Sequence, residues 1–352
     1  MKYLICGDVH WSSYSSIVRS RGKEFSTRLE NLINTINWVE QTAVEEGCQA
    51  IIYLGDFFDK SDLNSEEITA LKRISWSNLH HWFLVGNHEM GISSLQYSSA
   101  HLFLQNSTME VIDKPYSVTT VDNVQLCFLP YILESDRKTL NEYFGTDSSK
   151  RVVFSHNDLK GVQMGKFLST EGFDIQDIDN NCRIFFNGHL HNESIHGYRA
   201  INIGNITGQN FSEDGLFYRH KVVIFDDTEF SVNWYENPHA FNFYKLDMTT
   251  YRETVDDDKA YKLLSGLGPN AIVTVKTFPD EKIFYEDMLS NLDNILTYRL
   301  IYEHTEYDSA EERKEVAELA SLDHIEKFEE FVRETIGEDD IILEELSKVV
   351  QA

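Results

Sequence analysis

Lys2-Tyr3-Leu4-Ile5-Cys6 is a short, largely apolar run that breaks at once into Gly7-Asp8-Val9-His10. The same change of character recurs four times. Residues 50–54 open into Gly55-Asp56-Phe57-Phe58-Asp59, residues 82–85 into Gly86-Asn87-His88-Glu89, residues 151–154 into Ser155-His156, and residues 183–186 into Asn187-Gly188-His189-Leu190-His191. Runs of this length, rich in Ile, Val, Phe and Tyr, read as buried strands. Each strand therefore ends by delivering Asp, Asn or His, and in layered α/β folds the C-terminal edge of a sheet is where sites form. A single Asp-x-His or His-x-His is commonplace. Five deliveries in succession point to one polar centre.

Between the runs the period changes. Leu29, Leu32, Ile33, Ile36 and Val39 recur at helical spacing within residues 28–46, and residues 66–76 and 94–104 also read as helices. Residues 200–203 form a sixth strand, and residues 118–120 and 125–129 flank Asp122-Asn123 as a hairpin. Strands alternating with helices predict an α/β layered domain. Beyond residue 216 the chain reads as a hairpin (221–225 and 230–234), then strands at 243–246, 271–277 and 298–302 with a helix at 285–296. This predicts a main domain over 1–238, a small α+β capping domain over 239–305 and a helical C-terminal segment over 306–352. That last segment carries 16 acids and 5 bases, yet Val316, Leu319, Ala320, Ile325, Phe328, Phe331 and Val332 form an apolar stripe. Such a stripe suits packing on its own domain or docking onto a partner helix.

The composition narrows the function. With 31 Lys+Arg against 58 Asp+Glu the net charge is -27, which disfavours broad electrostatic binding to bare nucleic acid or anionic membrane. An apolar content of 41% excludes a disordered chain. No run approaches a membrane span. Met1 to Cys6 is too short for a signal peptide, and Cys6, Cys48, Cys127 and Cys182 show no CxxC spacing. A cytoplasmic protein with reduced thiols is expected, without a disulfide or zinc framework.

The polar centre has the chemistry of a divalent-cation site. Side chains at i and i+2 of an extended segment point the same way, so Asp8 and His10 can clasp one ion and His189 and His191 can span two. A carboxylate such as Asp56 can bridge a pair. Nitrogen and oxygen donors without thiolate suit Mn²⁺, Fe²⁺ or Zn²⁺. The glycines at 7, 55, 86 and 188 permit tight turns that bring backbone close to the ions.

In order and spacing, these five motifs resemble the calcineurin-like metallophosphoesterases. The resemblance implies an α/β fold built as a layered β-sandwich flanked by helices, and two divalent ions, Mn²⁺ in the expected case. One would be held by Asp8, His10, Asp56 and His191, the other by Asp56, Asn87, His156 and His189. His88 would be the catalytic residue that meets the substrate phosphate and helps protonate the leaving oxygen, with Asp59 supporting the metal loop. Lys60 after Asp59 and Val85 before Gly86 depart from the arginines of the protein phosphatases. Leu129-Pro130-Tyr131 and Ile203-Gly204-Asn205 resemble the SbcD-type DNA repair and recombination nucleases, T-even phage subunits included. Glu89 stands where that branch often has Asp, outside the ligand set. The resemblance implies a 3′-to-5′ DNA exonuclease with single-strand endonuclease activity. It further implies a homodimer within a heterotetramer, partnered through residues 306–352 by an SbcC-type SMC-like coiled-coil ATPase. The loop holding Arg19, Arg21 and Lys23, with Arg28 beyond it, is the expected DNA contact. A small-molecule phosphodiesterase or phosphatase with the same site is the competing reading.

Overall fold

A computed structural model describes residues 1–14, 24–164, 167–211, 213, 215–249 and 257–303. The expected DNA-contact residues Arg19, Arg21 and Lys23 and the expected docking segment 306–352 lie outside the described residues.

Strand alternation builds the layers. Within Lys2–Cys6, Leu4 and Cys6 join one buried cluster while Tyr3 and Ile5 join another. Within Gln125–Leu129, Leu126 and Phe128 join that second cluster while Cys127 and Leu129 join a third. Opposite faces of a strand bury opposite residues, so the shared cluster lies between two sheets and the other two lie outside them. Sheet I runs Ser231–Glu236, Lys221–Asp226, Lys2–Cys6, Ala50–Tyr53, His80–Leu84, Met109–Ile112, its last four strands parallel. Sheet II runs Ser194–His196, Ala200–Asn202, Ile184–Asn187, Arg151–Ser155, Gln125–Leu129, Tyr116–Thr119, with its middle four parallel. Helix Thr27–Glu45 covers sheet I with Leu29, Leu32, Ile36, Val39 and Ala43, all fully buried. Ser26 caps its start by accepting from the Leu29 N–H. Helices Leu140–Phe144 and Ile175–Asn181 bury Leu140 and Ile178 against sheet II. The chain is thus the layered α/β sandwich that the sequence predicts.

Some elements differ from expectation. Residues 94–104 form a strand, Ser94–Ser98, and a 3₁₀ helix, Ser99–Gln105. The Ser98 hydroxyl accepts from the Ala100 N–H, the kind of local bond by which serine draws backbone out of an α-helix. Helix Ser65–Leu71 is shorter than residues 66–76 suggest, and it starts at an Asn64–Glu67 capping box. Further on, Lys282–Ser290 is helical, but Ile295–Tyr302 is already strand. Helix Asp257–Ser265 is an element that the sequence reading lacks.

The strands Asn242–Asp247, Ala271–Thr277 and Ile295–Tyr302 form a separate parallel sheet. Its own cluster includes Leu246, Leu264, Val273, Val275, Tyr285 and Leu289. It is tied back through the loop after sheet II. The Gly208 N–H donates to the Phe241 carbonyl at 3.0 Å, and the Phe241 N–H to Thr207 Oγ1 at 2.9 Å.

Candidate metal centre

Three parallel strands of sheet I end at Cys6, Tyr53 and Leu84, and two of sheet II at Ser155 and Asn187. The loops that follow these ends meet. Asp8, His10 and His191 bring donor atoms within 4.8 Å of one another, as do Asp56, His156 and His189, and likewise His10, Asp56 and His88. Asn87 Oδ1 lies 3.2 Å from His156 Nε2 and 3.0 Å from His189 Nδ1. Asp56 Oδ2 stands between the two halves, 3.9 Å from His10 Nε2 and 3.1 Å from His156 Nε2. All seven residues expected as ligands therefore converge, in two groups that meet at Asp56.

Each of the four imidazoles is oriented from behind. His10 Nδ1 lies 3.0 Å from Asp59 Oδ1, His156 Nδ1 lies 2.7 Å from the Leu54 carbonyl, His189 Nε2 lies 3.1 Å from Asp158 Oδ1, and His191 Nδ1 lies 3.5 Å from Glu213 Oε1. Every outer partner is an acceptor, so with a cation bound the ring proton would sit on the outer nitrogen and the inner nitrogen would offer its lone pair to the centre. The two aspartates are held in the same manner. Asp8 Oδ1 accepts from the His189 N–H at 2.9 Å and Asp56 Oδ1 from the His88 N–H at 3.0 Å.

This donor set fits divalent cations. Asp8 Oδ2 and His10 Nε2 are buried and have no hydrogen-bond partner. Leaving such atoms unpaired costs of the order of 1–3 kcal/mol each, a cost that a shared cation removes. Crowding points the same way. A Cβ on Gly86 would sit 2.1 Å from Asp56 Oδ1, and one on Gly188 2.6 Å from Asp8 Oδ1. These glycines make room for carboxylates; neither has a positive φ. His10, Asp56 and His189 do, at 50°, 47° and 72°. Strained non-glycine backbone of this kind gathers at functional sites. It also corrects the reason for convergence: Asp8 and His10 meet across a tight turn beyond the strand, not along an extended segment.

The electrostatics are those of a paired cluster. Burial works to raise the Asp56 pKa, but His156, His10 and His88 hold it well below the usual carboxylate range. Burial works to lower that of His156, but Asp56, Asp8 and Glu89 push it up to about 9. For His10 burial wins and favours the neutral ring.

The sequence reading missed Asp158 and Glu213 as outer partners. Asp158 follows His156 by two residues, an available signal; Glu213 had none. Glu89, expected outside the ligand set, is fully buried and accepts from the Phe58 and Gly86 N–H groups at 3.0 and 2.9 Å, tying two motif loops together. Burial and then Asp56 raise its pKa to about 8. Trp11, beside His10, is fully buried, with its indole N–H on the Glu67 carbonyl. His88 is the exposed member, its Nδ1 on the Asp59 carbonyl at 3.1 Å.

A layered α/β sandwich whose two sheets pool histidines, aspartates and an asparagine at one edge has the build of a metal-dependent hydrolase. The calcineurin-like phosphoesterase family model matches residues 1–345, and the chain belongs to that family of phosphoester hydrolases. No curated protein matches the sequence. Among solved structures, a Thermus thermophilus protein is 10% identical, covering 67% of this chain and 98% of its own, with a TM-score of 0.40. A dimetal phosphatase from Danio rerio is 15% identical, covering 54% and 69%, with a TM-score of 0.27. No helix among the described residues is long and apolar enough to cross a membrane.

Proposed function

We propose that the protein is a two-metal phosphodiesterase acting on DNA, a cytoplasmic 3′-to-5′ exonuclease subunit partnered through residues 306–352 by an SbcC-type ATPase. The carrying observation is the pair of unpartnered buried atoms, Asp8 Oδ2 and His10 Nε2, inside a ring of imidazoles that are all held from outside. In this reading Asp8, His10, Asp56 and His191 hold one ion, and Asp56, Asn87, His156 and His189 the other, Mn²⁺ in both. Bound there, the ions supply Lewis-acid stabilisation of phosphoryl charge and a water of lowered pKa.

The chain's own groups do the rest. The Asp59 carbonyl accepts at His88 Nδ1, so Nε2 is the atom free to carry a proton toward a leaving oxygen. Asp59 also holds His10 through its carboxylate, and so couples the two rings, whose centroids are 4.7 Å apart. The choice of a polymeric substrate draws support from an open groove of about 590 Å³ that runs from His189 and His191 past Ser194 to Tyr218. Tyr131 of the Leu-Pro-Tyr motif lies with its ring 6.0 Å from that of His189.

The test is Mn²⁺-dependent digestion of end-labelled duplex DNA, alone and with a coexpressed coiled-coil ATPase from the same source. Shortening from the 3′ end supports the reading. Hydrolysis of small chromogenic diesters with DNA left intact overturns it in favour of a small-molecule phosphodiesterase.

A further inference from the structure

Beside the metal centre lies a second cavity of about 220 Å³. Its wall includes Ser12, Arg28, Gln209 and Asn210, and it shares His10 and Asp59 with the centre. Arg28 is 3% exposed. Its guanidinium donates to the Gly208 carbonyl at 2.9 Å and the Val9 carbonyl at 3.3 Å. Among the described residues no carboxylate comes within ion-pairing distance of it, although acids outnumber bases by 58 to 31. Burial lowers its pKa only to about 10, so the group is cationic at neutral pH.

A buried cation whose direct hydrogen bonds go to carbonyls is costly unless something anionic completes it, and Glu213 and Asp59 oppose the burial effect only from beyond ion-pairing distance. The neighbouring loop repeats the signal. Gln209 Nε2 is buried and has no hydrogen-bond partner. The Arg28 bond to the Gly208 carbonyl fixes the next residue, Gln209, on the same cavity. A guanidinium and a primary amide together offer seven N–H donors, more than the local carbonyls use. The acid on this wall, Asp59, is already engaged by His10 Nδ1. The unsatisfied side of the cavity is the donor side.

We propose that this cavity is a phosphate subsite, in which Arg28 and Gln209 bind the phosphate next to the scissile one on a nucleotide chain. Charge-assisted bonds from a planar guanidinium suit a phosphate. The cavity shares His10 with the metal centre, which places the two neighbouring phosphates of one strand in adjoining sites. The device would let a strongly acidic protein select a polyanion locally. The proposal rests on the phosphodiesterase reading above.

The test uses two dinucleotides with the same scissile ester, d(TpT) and d(pTpT), the second carrying a phosphate on the leaving nucleoside. Hydrolysis of either, followed by chromatography, releases thymidine 5′-monophosphate from the 3′ end as water supplies the new P–O bond and the leaving 3′-oxygen takes a proton. With Mn²⁺, the wild type should favour the 5′-phosphorylated compound at least tenfold in kcat/KM, chiefly through KM. Arg28→Gln should collapse that ratio toward one, and Arg28→Lys should keep part of it. Gln209→Met, which leaves the guanidinium and its carbonyl bonds in place, should lower the ratio severalfold and covers the case in which Arg28→Gln does not fold. A ratio of one in the wild type, or an equal loss on both substrates in every variant, makes Arg28 a structural clamp and overturns the subsite. Failure to cleave either compound would instead count against the phosphodiesterase reading itself.

Discussion

The His189 backbone N–H donates to Asp8 Oδ1 at 2.9 Å, across 181 residues of chain. Asp8 follows the first strand of sheet I and His189 follows a central strand of sheet II. This bond, with that of His156 Nδ1 to the Leu54 carbonyl, holds the two sheet edges against each other. It also turns Asp8 so that its other oxygen, Oδ2, is the buried atom left without a partner. The centre is a joint between sheets, and its geometry depends on how closely the loops can approach.

Gly86 sets that approach. A Cβ added at this glycine would meet Asp56 Oδ1 at 2.1 Å and the Asp56 backbone nitrogen at 2.5 Å, so something must move. Gly86→Ala should displace Asp56, the carboxylate shared by both groups of donors. Calorimetric titration with Mn²⁺ should show the loss of at least one binding event, with a thermal midpoint lowered by an overpacking cost of about 1–3 kcal/mol. Two wild-type binding events would show that the close approach is not required.

Among the described residues the Asp158 carboxylate hydrogen-bonds to His189 alone. Its Oδ1 lies 3.1 Å from Nε2, and the hydrogen bond to that ring, ahead of an opposing burial effect, lowers the carboxyl pKa. Asp158→Asn can present an N–H where an acceptor is needed and so permits the wrong tautomer. Outer partners of this kind are worth roughly 10–100-fold in metal affinity. One of two Mn²⁺ affinities should fall by that factor while the other stays within a few-fold. Asp158→Glu should restore part of it.

How much of this was legible in the sequence follows from where the information sits. Strands announce themselves locally, and the motif after each one names a ligand, so Asp8, Asp56, Asn87, His156 and His189 could be read in order. The acceptors behind them come from wherever the fold brings them. Glu213 reaches His191 from a loop with no periodicity. Arg151 reads as the start of a strand, yet it is a fully buried guanidinium whose acceptors are Gln125, Asn141, Asn181, Phe144, Gly145 and Asp147. Residues 94–104 misled for the opposite reason. Their apolar spacing resembles a helix, while the serines bond to nearby backbone and break it.

The cysteines give a pH prediction. All four are buried and free. Burial raises the pKa of Cys127 and of Cys182 to about 12 and of Cys48 to about 11, against 9.0 for a free thiol. The folded protein keeps protons that the unfolded chain releases above pH 9. Stability from this source is full below pH 9 and falls as pH rises through the folded values. At pH 8 a thiol-specific chromogenic reagent should find almost no reactive sulfur in the native protein and all four groups in urea. Rapid native labelling of even one of these cysteines would contradict the burial argument.

His88 separates binding from chemistry. Its ring is 44% exposed, its Nδ1 is occupied by the Asp59 carbonyl, and its backbone N–H holds Asp56. The backbone bond survives His88→Ala, so Asp56 stays oriented and both Mn²⁺ affinities should remain close to wild type. The proton carried at Nε2 is lost, and a general acid contributes roughly 10²–10⁴-fold. The loss should depend on the leaving group. It should be large for a nucleoside alcohol, which needs a proton to depart, and small for p-nitrophenol, which leaves as a stable anion. Equal losses on a dinucleotide and on a p-nitrophenyl ester would assign His88 to holding the phosphate rather than to proton transfer.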